Sequence, residues 1–273
     1  MTRGLFALAV AGLGVAAMPG TAHAEFLDFT VNETAPGLGS DGGVIFPVDK
    51  INGSYAEVIA LGAGTFEASL YVDWSQYLRN EGVLPVNTDL TSGGGDPDEY
   101  AMYALVTSSG TFTGTGTVAD PFVFQPDTAE ASLFVDPDID TTKTLGVAGA
   151  PVMTANDADD LLVMSANQID EPSSFGELIS SGPSASQGGF FNTVFTNPTL
   201  EAFGLLYWPD LPLFGLQAVN DGDFDDADLS DGTLSGDVSL VFEPLAVPEP
   251  ASLSLFGIGL IGAGIAARRR RKA

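Results

Sequence analysis

Between residues 26 and 242 the apolar positions fall into short runs with partial alternation, the period-two signature of strands that bury one face. The runs cover 26–31, 55–61, 65–74, 101–107, 132–135, 161–164, 189–195, 203–208 and 236–242. Clusters rich in Gly, Pro, Asp and Ser, such as 92–97 and 180–184, separate them and supply turn chemistry. Short helical turns are expected only near 74–79 and 157–162. No internal repeat of 20–50 residues stands out, which argues against a solenoid or propeller. The pattern therefore predicts a mainly β body, sandwich-like or jelly-roll-like.

The two ends depart from this pattern. Residues 1–24 combine Arg3, an apolar core over 5–18 and the small-x-small site Ala22-His23-Ala24 before Glu25, as a cleaved secretory signal does. The expected mature chain starts at Glu25, after cleavage by a signal peptidase. Near the other end, Pro248-Glu249-Pro250 precedes seventeen uncharged residues, 251–267, and then Arg268, Arg269, Arg270, Arg271 and Lys272. As a helix, 251–267 would reach about 25 Å. Flanking arginines can snorkel to complete a membrane span, with the basic cluster cytoplasmic. Gly257, Gly259 and Gly262 match G-x-G-x-x-G, but no βαβ unit or following acidic residue accompanies them, and the dinucleotide reading fails.

This tail, with Pro248-Glu249-Pro250, the apolar stretch from Ala251 and the Arg run, resembles the PEP-CTERM sorting signal of Gram-negative bacteria. The resemblance implies an inner-membrane-anchored precursor, recognition by an exosortase, and delivery of the body to the cell surface or extracellular matrix. An ordinary single-pass anchor is the plainer alternative. Segments 28–31, 49–53, 64–68 and 134–138 also resemble the flocculation-associated PEP-CTERM group. That likeness implies a non-enzymatic component supporting floc or biofilm formation with exopolysaccharide. The expected organisation is thus a signal peptide over 1–24, an exported domain over 25–246 and a sorting signal over 247–273.

Charge narrows the chemistry of the exported segment. Its cations are Lys50, Arg79 and Lys143, set against 35 carboxylates, for a formal charge of −32. Nucleic-acid binding, which needs clustered Lys and Arg, is excluded. The segment has neither His nor Cys, so Ser-His and Cys-His nucleophiles and His- or Cys-ligated zinc are excluded too. No disulfide can hold it together, and burial must suffice. No cofactor is required, and calcium is the candidate ligand. Asp136, Asp138 and Asp140 alternate in one loop, and Asp221, Asp223 and Asp225 alternate in another. Alternate carboxylates can converge on a hard cation, although neither loop is an EF-hand and a solvated acidic turn has the same spacing. Asp157, Asp159 and Asp160 follow the first loop closely. Tyr71, Trp74, Tyr77, Tyr207 and Trp208 are candidates either for stacking on sugar rings in a carbohydrate-binding module or for the core. No carboxylate pair is singled out for glycoside hydrolysis, and no catalytic residue is assigned.

Overall fold

A computed structural model describes residues 26–91, 93, 94, 96, 98–179, 188–211, 214–219, 224–228 and 232–244. In chain order the elements are β1 (Phe29–Asn32), β2 (Val44–Val48), β3 (Lys50–Leu61), β4 (Thr65–Arg79), β5 (Leu84–Pro85), β6 (Ala101–Thr113), β7 (Phe122–Asp136), β8 (Thr142–Thr144) and β9 (Met153–Ala155). They continue with β10 (Leu161–Ala166), β11 (Phe175–Ile179), β12 (Gly188–Phe195), β13 (Thr199–Leu200), α1 (Gly204–Tyr207), β14 (Phe214–Val219), β15 (Phe224–Asp228) and β16 (Thr233–Pro244).

The mainly β expectation holds, but the architecture differs from two packed sheets. A single twelve-stranded sheet runs β11-β12-β14-β16-β3-β4-β6-β7-β10-β13, with β5 and β15 paired at its side. Strand β7 then pairs a second time, with β11, so the sheet curls until its ends meet. Eight strands (β3, β4, β6, β7, β11, β12, β14 and β16) form the closed circuit, every step antiparallel. The cause lies in the lengths and irregularities of the central strands. Strands β4 and β7 are 15 residues long, and each carries an extra residue, Ser75 of β4 opposite Asn52/Gly53 and Asp127 of β7 opposite Ser109/Gly110. Such bulges bend a strand and sharpen its twist, and a long, strongly twisted sheet coils instead of splitting in two. At the first bulge a side chain on Gly53 would collide with the Asp73 carbonyl.

Alternation then sorts side chains into the ring. Phe66, Ala68, Leu70, Val72 and Trp74 of β4 point to one buried face, joined by Leu234, Val238 and Leu240 of β16. At one end of this core, Phe29 meets Phe242 at 5.0 Å and Trp208 at 5.7 Å in edge-to-face contacts. Beside them the Tyr207 hydroxyl lies 2.7 Å from that of Tyr77 and 2.6 Å from that of Tyr100. Tyr100 donates onward to the buried Glu33 carboxylate at 2.9 Å. Burial raises the pKa of Glu33, while that hydrogen bond and one from the Asp89 amide work in the opposite direction.

Two local expectations need correction. Residues 203–208, read as a strand, instead hold α1 (Gly204–Tyr207) and its caps Phe203 and Trp208, with Tyr207 N–H donating to the Phe203 carbonyl and Trp208 N–H to that of Gly204. The turn suits Gly204, where a side chain would strike the Val163 carbonyl. Conversely, 74–79 continues β4 as strand, because its pairing with β3 extends to Leu78.

One position on the buried face breaks the apolar rule. Glu57 of β3 lies between Tyr55 and Ile59 on that face and is 9 % exposed. Its carboxyl has no hydrogen-bond or ion-pair partner among the described residues, and burial pushes its pKa up to about 7. A carboxyl raised on folding stabilises the native state fully below its unfolded pKa, near 4.5, and that contribution is lost as pH rises through about 7. The stability gap between a Glu57→Gln variant and the parent should therefore widen in favour of the variant by about 3 kcal/mol between pH 4.5 and pH 8. Urea unfolding across that range measures it, and a pH-independent gap would mean that Glu57 is solvated.

Candidate functional site

The acidic loop after β7 is organised by its first carboxylate. Asp136 is 2 % exposed, and it accepts hydrogen bonds from the Thr141 amide at 3.0 Å and the Asp140 amide at 3.3 Å. The chain therefore wraps back over Asp136 before entering the β8–β9 hairpin. Ile139 turns the corner with φ +54°, a left-handed conformation that is unfavourable for a β-branched residue. That reversal disrupts the simple alternation expected from the sequence. Carboxylate oxygens of Asp136, Asp140 and Asp159 lie within 4.8 Å of one another, whereas Asp138 is exposed and outside the group. Asp159 enters from the turn after β9.

The surroundings are strongly acidic. Asp160 accepts hydrogen bonds from the Tyr103 hydroxyl and from the Thr141 hydroxyl, the latter at 3.0 Å. Its pKa is raised by burial, opposed by those two hydrogen bonds and reinforced by Asp136 and Asp159. Desolvation raises that of Asp140 as well, with further contributions from Asp159, Asp136 and Asp138. The nearby cation, Lys143 of β8, is occupied elsewhere: its ammonium is 2.8 Å from Asp73 Oδ1 and 4.8 Å from the centre of the Tyr103 ring. Three convergent carboxylates with mutual repulsion suit a hard divalent cation that takes oxygen ligands, such as calcium.

The other sequence candidates fare differently. Asp221 and Asp223 lie outside the described residues, and Asp225 sits in β15, a strand paired with β16, not in a loop. Trp74, Tyr77, Tyr207 and Trp208 are buried and serve the core, so they offer no face to a sugar ring; Tyr71 is half-buried. Ala22, Ala24, Glu25, Pro248, Glu249, Pro250 and Arg268 to Arg271 lie outside the described residues. Among the described residues no helix is long and apolar enough to cross a membrane; the apolar stretch 251–267 is not among them. Two contributors carried weak sequence signals. Asp159 belongs to an acidic cluster separate from the Asp136 loop, and Glu57 sits in a run whose two faces are both apolar enough to hide which one is buried.

Comparison with known proteins bears on the tail. Residues 246–271 match the PEP-CTERM protein-sorting motif. The chain carries an exosortase sorting signal. The motif implies an exported protein that passes through a membrane-anchored precursor and is processed by an exosortase. No curated protein and no solved structure matches the chain.

A cation held by the three carboxylates should stabilise the fold by mass action, by about 2.7 kcal/mol when free calcium reaches about 100 times its dissociation constant. Thermal melts in calcium and in sodium chloride of matched ionic strength measure this. Asp159→Asn should remove the calcium-specific shift, while Asp138→Asn should leave it intact. Identical melts in both salts would make the cluster a solvated turn.

Proposed function

We propose that the chain is a non-catalytic surface or extracellular-matrix protein that supports floc or biofilm formation together with exopolysaccharide. The observation that carries this reading is the sorting motif at 246–271, which implies export and exosortase processing. The exported segment adds the physical rationale. At a formal charge of −32 it repels both its own copies and anionic polysaccharide, and monovalent salt only screens that repulsion. Divalent cations bridge carboxylates and convert repulsion into adhesion. The lack of His and Cys in this segment supports a non-catalytic role, since it removes most nucleophile and general-base pairs. Burial of Trp74, Tyr77, Tyr207 and Trp208 weighs against a carbohydrate-binding module built on those aromatics.

Deleting the gene from its host should reduce calcium-dependent flocculation, and the intact gene should restore it. A version with Pro248, Glu249 and Pro250 replaced by alanine should remain membrane-bound and fail to restore it. Intact-mass analysis of the surface or released protein should give a chain from Glu25 to near residue 247. Retention of Arg268–Arg271 there would contradict sorting. Release of reducing ends from the host polysaccharide, with a defined pH profile, would contradict the non-catalytic reading.

A further inference from the structure

The ring of strands encloses unfilled space. A cavity of about 120 Å³ lies within it, walled by residues that include Leu70 of β4, Ala104 of β6, Phe124 and Ala131 of β7, and Leu178 of β11. Protein interiors are normally packed with few voids larger than a water molecule. Here the space arises where small residues stand in register with larger ones: Ala104 lies opposite Val72 and Leu133, and Ala131 opposite Val106. A void near this size with apolar walls accepts a guest such as benzene.

Two buried polar groups without partners among the described residues belong to the same wall. One is the carboxyl of Glu57, a residue 9 % exposed and registered between Leu70 and Leu234, whose pKa is perturbed by burial alone; the other is the Trp74 indole N–H. Buried polar groups are paired as a rule, and an isolated carboxyl in an apolar wall calls for a partner. The cavity also has a route to solvent. Phe175 (40 % exposed) and the half-buried Phe190 line it as an edge-to-face pair at 5.4 Å. They adjoin the β7–β11 seam, where closure rests on three registered pairs, from Gly176↔Phe124 to Leu178↔Phe122.

We propose that this cavity binds a small apolar molecule bearing one cationic amine, its body packed against Leu70, Ala104 and Phe124 and its ammonium paired with Glu57. Charge selects the amine. The acidic exterior raises the local concentration of cations and repels anions. Inside, a charge-assisted hydrogen bond to the carboxylate satisfies both partners, whereas a neutral alcohol offers a weaker one. Glu177 is the other ionisable group on the wall, and it carries the same sign.

Benzylamine, benzyl alcohol and toluene are suitable probes, titrated into the protein purified from its exporting cells at about pH 7.5 and followed by calorimetry. Benzylamine should bind saturably at one site per chain, at least about tenfold more tightly than benzyl alcohol. Glu57→Gln should abolish that preference while still admitting benzyl alcohol. This variant is expected to be the more stable protein at that pH, so its loss of binding would not reflect unfolding. Ala104→Leu, or Ala131→Leu if the first does not fold, should exclude all three probes. Absence of saturable benzylamine binding up to roughly 10 mM, equal benzylamine affinity in parent and Glu57→Gln, or a preference for toluene or the alcohol would each overturn the proposal.

Discussion

A sheet ends in two rows of unpaired N–H and C=O groups, and this fold depends on how one strand deals with them. Strand β7 pairs with β6 along one side and divides its other side between two partners, β11 near Phe122–Phe124 and β10 over Ala131–Val135. The first pairing closes the ring and gives the molecule an interior. The second carries the chain beyond the ring and brings the end of β7, at Asp136, under the turn that precedes β10. Closure gives β11 a partner on both sides and so covers an edge that would otherwise template association with other chains. With no cysteine in the chain, hydrogen bonding and apolar burial alone must maintain it.

The acidity of the molecule acts on this frame in two places. Near the surface, the buried Asp136 and the exposed Asp140 and Asp159 converge while Lys143 is committed to Asp73, which leaves negative charge without a local counter-charge. In the interior, Glu57 faces apolar walls with no partner among the described residues. Glu33 shows how the same chain treats a buried carboxylate that is structural: it surrounds the group with donors from Tyr100 and the Asp89 amide. The contrast separates a carboxylate that holds the core together from one left available.

Much of the strand content was legible because alternation in 65–74 and 101–107 reports a one-sided surface directly. Closure was not legible, since Glu177 and Val123 carry no mark of being neighbours 54 positions apart. The tail could be read because its three parts are contiguous, and the match at 246–271 agrees. The acidic site was half-readable. Spacing pointed to Asp136 and Asp140, but the positive φ at Ile139 turned Asp138 away, and Asp159 arrives by a tertiary contact. Residues 203–208 misled because apolar content alone does not distinguish a buried strand from a buried helical turn.

Closure at the β7–β11 seam can be tested directly by a disulfide, and the absence of native cysteine makes the experiment specific. Val123 and Glu177 are registered cross-strand partners with accessible side chains. Antiparallel partners bring their Cβ atoms to about 4.5–5.5 Å, close to the spacing that a disulfide spans. Under mild oxidation the Val123→Cys/Glu177→Cys variant should form an intramolecular bond, seen by peptide mapping, with its native circular dichroism retained. Free thiols or only intermolecular bonds in a folded variant would show that the sheet remains open, and the account of an enclosed interior would fall with it.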